Sequence, residues 1–229
     1  STLFPYTTLF RSEKRQARQG ADVLLQEEPL RFQTRKQVGL LGGNFNPVHL
    51  AHLVMADQVQ NQLGLDKVYL MPTYLPPHVD EKKTISSEHR LAMLELAVAD
   101  NPCLDIEPIE LIRKGKSYTY DTMKALKEAN PDTDYYFIIG GDMVEYLPKW
   151  HRIDDLLHLV QFVGIRRPNY PTESTYPIIW VDVPQMAISS TLIRQKVKSG
   201  CSTRYLLPEN VINYIQEKGL YQDELDNKL

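Results

Sequence analysis

From about residue 36 onward, short apolar runs alternate with stripes of helical period. Val38, Leu40 and Leu41 form a compact run that predicts a buried strand, followed at once by Gly42 and Gly43. Past Pro47, the positions Leu50, Val54, Ala56, Val59 and Leu63 keep helical spacing over 49–63, and Gly64 stops the helix. Residues 68–71 predict the next strand, ended by Pro72. A polar loop over 78–87 follows, then a helix over 88–99 with Leu91, Leu94 and Val98 on its apolar side. A strand at 104–106, a helix over 120–129 and a strand over 135–139 lead into Gly140 and Gly141. The remaining pattern predicts a short helix at 153–157, strands at 160–165 and 178–181, and helices over 191–198 and 208–217, the last stopped by Gly219. This alternation, without an internal repeat, predicts an α/β fold built on a doubly wound parallel sheet.

Residues 1–35 break the pattern. Their start is rich in aromatic residues and threonine, and their second half mixes charges and glutamines without a sustained apolar stripe. They read as a flexible extension or a vector-encoded stretch, or else a short accessory helix around 17–26. One folded domain is expected over 36–221, its C-terminal part helical, with a polar tail at 222–229.

At 229 residues the chain can bury a substantial core. A net charge of −3 argues against a broadly cationic nucleic-acid surface but leaves room for a local basic pocket. The two cysteines, Cys103 and Cys201, are far apart, match no metal-ligand spacing and read as reduced thiols. No apolar run reaches membrane-spanning length and no secretory pattern opens the chain, so no membrane partner and a cytoplasmic location are expected.

Candidate chemistry begins at Gly42 and Gly43. Small residues at a strand end let the backbone approach a phosphate, and the helix behind offers unpaired amides to an anion. His49 and His52, three apart, share one helical face and can donate hydrogen bonds to phosphoryl oxygens, assisted by charge if protonated. Zinc is the weaker reading, because the pair lacks a compact third ligand; no protein metal site is expected. Phosphate handling alone does not choose between a nucleotide, a sugar phosphate or another phosphorylated ligand. The second constellation is Ile188-Ser189-Ser190-Thr191-Leu192-Ile193-Arg194, where hydroxyls can start a helix and Arg194 projects from its first turn towards phosphate.

With these two segments the chain strongly resembles the bacterial nicotinate-nucleotide adenylyltransferase family, over roughly residues 36–221. Gly42 to His52 resembles its glycine-rich, double-histidine motif, and Ile188 to Arg194 its late serine, threonine and arginine motif. The histidine segment alone reaches only the wider nucleotidyltransferase superfamily. Lys116 to Thr122 and Pro148-Lys149-Trp150 point to the nicotinate branch. The family motif often has Thr at the position of Asn44 and Asp at that of Asn46.

The resemblance implies a Rossmann-like nucleotidyltransferase with ATP and nicotinate mononucleotide as substrates and magnesium held mainly by the ATP phosphates. It assigns catalytic contacts to His49, His52 and Arg194. ATP would be held by Gly42, Gly43, Asn44, Phe45, His49, His52, Asp142, Ile188, Ser189, Ser190, Thr191 and Arg194, with Asp142 on the adenosine side. The nicotinate nucleotide would meet Asn44, the backbone of Tyr118 and Thr119, the ring of Trp150 and, secondarily, His78. Arg90 stays outside the essential chemistry, pointing to phosphate or bracing a helix. A homo-oligomer is compatible with the sequence. The alternatives are a related transferase acting on nicotinamide mononucleotide or phosphopantetheine, and a regulatory module that binds nucleotide with little catalysis.

Overall fold

A computed structural model describes residues 35–75, 84–166 and 173–222. The expectations for residues 1–34, for His78 and for the tail at 223–229 lie outside these residues. Among the described residues six strands form one sheet: β1 (Lys36–Gly43), β2 (Lys67–Pro72), β3 (Leu104–Ile106), β4 (Thr133–Gly140), β5 (Val160–Ile165) and β6 (Ile178–Val181). Their spatial order is β3-β2-β1-β4-β5-β6, and every neighbouring pair is parallel. The chain winds outward from β1 through β2 to β3, then returns to lay β4 on the other side of β1. The C-terminal ends of β1 and β4 therefore flank the crevice where an open α/β sheet of this order binds its ligands.

Alternation along the strands sorts the core into two layers. Leu40, Phe137, Ile139 and Phe162 face one side, where they meet Met123 and Leu126 of α4 (Thr119–Ala129) and Leu156 of α6 (Ile153–Leu156). Leu41, Ile138, Val163 and Ile165 face the other. There they join Ala56 and Val59 of α1 (Leu50–Leu63), Met93 and Leu94 of α2 (Ser87–Val98), Ile193 of α7 (Ser190–Lys198) and Val211 and Ile215 of α8 (Glu209–Glu217).

Two differences from the expected elements bear on the site. Gly42 and Gly43 are the last residues of β1, paired in register with Met71 and Pro72, so the turn proper starts at Asn44. His49 does not lie in the helix: its backbone is extended (φ −147°, ψ 169°) and it is the N-cap of α1. A short α3 (Ile109–Arg113), a one-turn α5 (Gly141–Val144) and a 3₁₀ turn at Leu147–Lys149 complete the described elements; none of the three was expected. Among the described residues no helix is long and apolar enough to cross a membrane, and Cys103 and Cys201 are unpaired thiols.

Candidate active site

Strand β1 ends on a glycine because an aromatic ring occupies the space beside it. A Cβ on Gly43 would stand 2.9 Å from the Phe45 ring. Phe45 is 2% exposed, adopts a left-handed backbone (φ 47°) and sets its ring at 4.9 Å, edge-on, to His52. Val48 is fully buried, so the turn runs inward before His49 starts the helix.

The two histidine rings stack at 3.6 Å between centroids. The backbone N–H of His49 donates to His52 Nδ1 at 3.3 Å, which leaves the His52 ring proton on Nε2. Burial pushes His49 down to about 4, and burial together with the neighbouring His49 holds His52 well below the usual imidazole range. Both rings are therefore neutral at pH 7 in the free protein, and two cations could not share a 3.6 Å stack. The condition for charge assistance, protonated histidines, is therefore not met in the free protein at pH 7. The His49 side chain in turn faces the His52 amide, so the two residues form a reciprocal cap at the start of α1.

Side chains distant in the chain fix the backbone of this turn. Arg194 Nη1 donates to the Asn46 carbonyl at 2.7 Å, and Ser190 Oγ donates to the Pro47 carbonyl at 2.8 Å. The early and late segments identified in the sequence thus meet directly. Ser189 is the N-cap of α7, its Oγ accepting from the Leu192 amide, while Thr191 Oγ1 accepts from Arg194 at 3.1 Å. Ile188 packs, partly buried, against the core. Arg90, which the sequence left outside the chemistry, is 2% exposed and clamps the carbonyls of Asn44 (2.9 Å) and Thr73 (2.8 Å), joining the ends of β1 and β2. Its partners are main-chain oxygens from two other elements, which no local pattern could have signalled. Asn44 donates to Thr84 at 3.3 Å. Among the described residues neither Arg90 nor Arg194 forms an ion pair, so two guanidiniums lie beneath the turn without a carboxylate to cancel them. Desolvation even lowers the Arg90 pKa, as expected for a buried cation lacking a counter-ion.

The other predicted residues lie along the same edge of the sheet. Asp142, partly buried, is in α5 immediately after β4, beside Gly141 and Met143. Tyr118 is the N-cap of α4 and Thr119 its first residue, so unpaired helix-start amides face outward from this turn. The Ser117 amide bonds the Leu75 carbonyl, tying that turn to the chain leaving β2. Beneath it, buried Glu110 accepts from Thr122 Oγ1 at 3.1 Å. Trp150 is partly buried, with Phe137 and Phe162 each at 5.9 Å in edge-to-face contact. The next residue, His151, lies 4.6 Å from the Tyr118 ring and links the tryptophan segment to the α4 turn. Among the described residues no group of three His, Cys, Asp or Glu side chains could hold a metal ion.

Comparison with known proteins follows the same lines. Residues 40–196 match the family described as cytidylyltransferase-like. The chain is similar to the probable nicotinate-nucleotide adenylyltransferase of Streptococcus mutans, 62% identical over 196 residues, which is 86% of this chain and 93% of the relative. A protein of the same description from Streptococcus pneumoniae is 62% identical over 195 residues, 85% of this chain and 93% of the relative. Among solved structures, the fold is similar to Plasmodium falciparum nicotinic acid mononucleotide adenylyltransferase complexed with NaAD, at TM-score 0.69 and 20% identity, covering 82% of this chain and 98% of that one. It is also similar to a putative nicotinate-nucleotide adenylyltransferase from Vibrio parahaemolyticus, at TM-score 0.62 and 18% identity, covering 83% and 98%.

Proposed function

The chain belongs to the nicotinate-nucleotide adenylyltransferase family, and from that premise we propose that it transfers the adenylyl group of ATP to nicotinate mononucleotide. A phosphate oxygen of nicotinate mononucleotide attacks the α-phosphorus of ATP. The bond from that phosphorus to the bridging oxygen breaks, and pyrophosphate leaves with the electron pair, giving nicotinate adenine dinucleotide. No protein nucleophile is needed. Catalysis consists of holding two anions together and stabilising the charge that passes to the leaving group.

The observation that carries this reading is the neutral, stacked His49–His52 pair, set at the β1–β4 crevice by a turn braced on Arg90 and Arg194. Such a site is electropositive without any cationic imidazole, as triphosphate binding requires. His52 Nε2–H donates to the transferring phosphoryl group, and His49, stacked against it, contacts the same region. Arg194 reaches the β- and γ-phosphates from the start of α7, with Ser190 and Thr191 shaping that subsite. Gly42, exposed at the end of β1, and Gly43 let the nucleotide lie against bare backbone. Asp142 recognises the ribose, and Ile188 and Ser189 line the adenosine side. Magnesium, brought in on the ATP phosphates, would offset their charge.

On the acceptor side, the free amides at the start of α4 receive the nicotinate carboxylate, Trp150 packs on the pyridine ring, and Asn44 lies between the two substrates. Charge-assisted bonds favour the acid over the amide. With magnesium and ATP, formation of pyrophosphate and dinucleotide is expected to be at least about tenfold more efficient, in kcat/KM, from nicotinate than from nicotinamide mononucleotide. Inactivity with both acceptors would overturn the function. Trp150→Leu keeps the space beside Phe137 and Phe162 filled. It is expected to raise KM for nicotinate mononucleotide by about tenfold, leaving KM for ATP unchanged in the same titrations. An equal rise in both constants would remove Trp150 from the acceptor subsite.

A further inference from the structure

Tyr221 is 175 residues from Asn46, yet its hydroxyl donates to Asn46 Oδ1 at 2.9 Å. Both are buried, at 8% and 3% exposure. After α8, Gly219 turns the chain with a left-handed backbone (φ 62°), and Tyr221 itself is left-handed (φ 65°), a conformation that a bulky residue adopts only when its surroundings impose it. The bend carries the ring into the apolar layer shared by α1, α2 and α8 and leaves its oxygen beneath the β1–α1 turn. Arg90 and Arg194 are the charged groups that face it, and burial keeps the phenol protonated, so it serves as a donor throughout the neutral range.

Asn46 is gripped twice, by Tyr221 at its side chain and by Arg194 at its carbonyl. Ser190 holds Pro47, Val48 is fully buried, and His49 follows. Each residue from the grip to the histidine cap is therefore fixed, and a shift at Asn46 passes along the segment to the ring pair. We propose that Tyr221 is a positioning residue for adenylyl transfer: through Asn46 it sets the turn that presents His49 and His52. The inference rests on the function proposed above.

Tyr221→Phe keeps the ring and removes only the donor. Its kcat is expected to fall about tenfold, with KM for both substrates nearly unchanged, the size of one buried hydrogen bond carried into the barrier. In a His52→Ala background the same substitution is expected to cost less than about twofold, because the group it positions is gone. A merely structural tyrosine would cost the same in both backgrounds. In protein labelled with ¹⁵N-histidine, the ring pattern of an Nε2–H tautomer at His52 is expected to weaken or average in Tyr221→Phe. Should that variant fail to fold, Asn46→Ala, which removes the acceptor instead, carries the same expectations. Unchanged kcat, or equal losses in the two backgrounds, overturns the proposal. A wild-type protein without turnover defeats the proposed function itself; the His52 ring signals then decide the positioning alone, and unchanged signals overturn it.

Discussion

His52→Ala is expected to lower kcat by about 10²- to 10³-fold, the scale found when one well-placed donor to a developing charge is removed. His52 is the third residue of α1, and its ring is fixed on three sides: stacked on His49, edge-on to Phe45, and bonded through Nδ1 to the His49 amide. What it offers a substrate is the opposite ring nitrogen, with its proton in place. The substitution also leaves the His49 amide unpaired, at a cost to helix α1 of about 1 kcal/mol, too small to unfold the domain. His52→Asn can accept from that amide but lacks a donor at the Nε2 position, so it is expected to be as slow as the alanine variant while regaining stability. Normal turnover in either folded variant would end the assignment. The pH profile adds a second check. Because both imidazoles are held neutral, the His49 pKa at about 4, kcat/KM is expected to stay flat above the second phosphate ionisation at about 6 and up to pH 8.5. The sign is decisive: cationic histidines would lose activity as pH rises through that window, and such a fall would exclude the neutral-donor reading.

Arg194→Ala is expected to lower kcat/KM for ATP by a similar factor, about 10²- to 10³-fold. Two contributions are lost together, the positive charge facing the leaving pyrophosphate and the clamp on the Asn46 carbonyl. Two further variants separate them. Arg194→Gln can still donate to that carbonyl but is neutral, whereas Arg194→Lys keeps the charge and loses the planar fork. If charge dominates, lysine retains more activity than glutamine in steady-state titrations of ATP; if the clamp dominates, the order reverses. Near-normal kcat/KM in all three folded variants would remove Arg194 from the reaction.

The parts of this architecture legible in the sequence are those governed by local periodicity. Strands at 104–106, 160–165 and 178–181 were bounded as observed, because short β-branched and aromatic runs end at unmistakable breaks. Helices α3 and α5 and the 3₁₀ turn, three to five residues long, are not marked by the apolar pattern, whereas the equally short α6 is, at 153–157. Gly42 and Gly43 stand beyond the apolar run that marks the strand, and only their pairing with Met71 and Pro72 extends β1 through them. The site divides in the same way. His49, His52, Ser190 and Arg194 stand in recognisable segments, and the structure brings those segments together. Arg90 and Tyr221 have roles defined by partners far along the chain, a pair of carbonyls and one amide side chain, and no spacing rule reaches that far.

The bonds that close the β1–α1 turn join residues 143, 148 and 175 positions apart. Ordering such distant segments costs chain entropy that only the last docked elements can offset. The central strands can pair, and the two apolar layers can begin to pack, while the histidine turn still lacks every one of these braces. The site is thus completed by contacts of long sequence separation, from α7 and the bend after α8, whereas the pairing of β1 with β2 and the Arg90 clamp join residues much nearer in the chain.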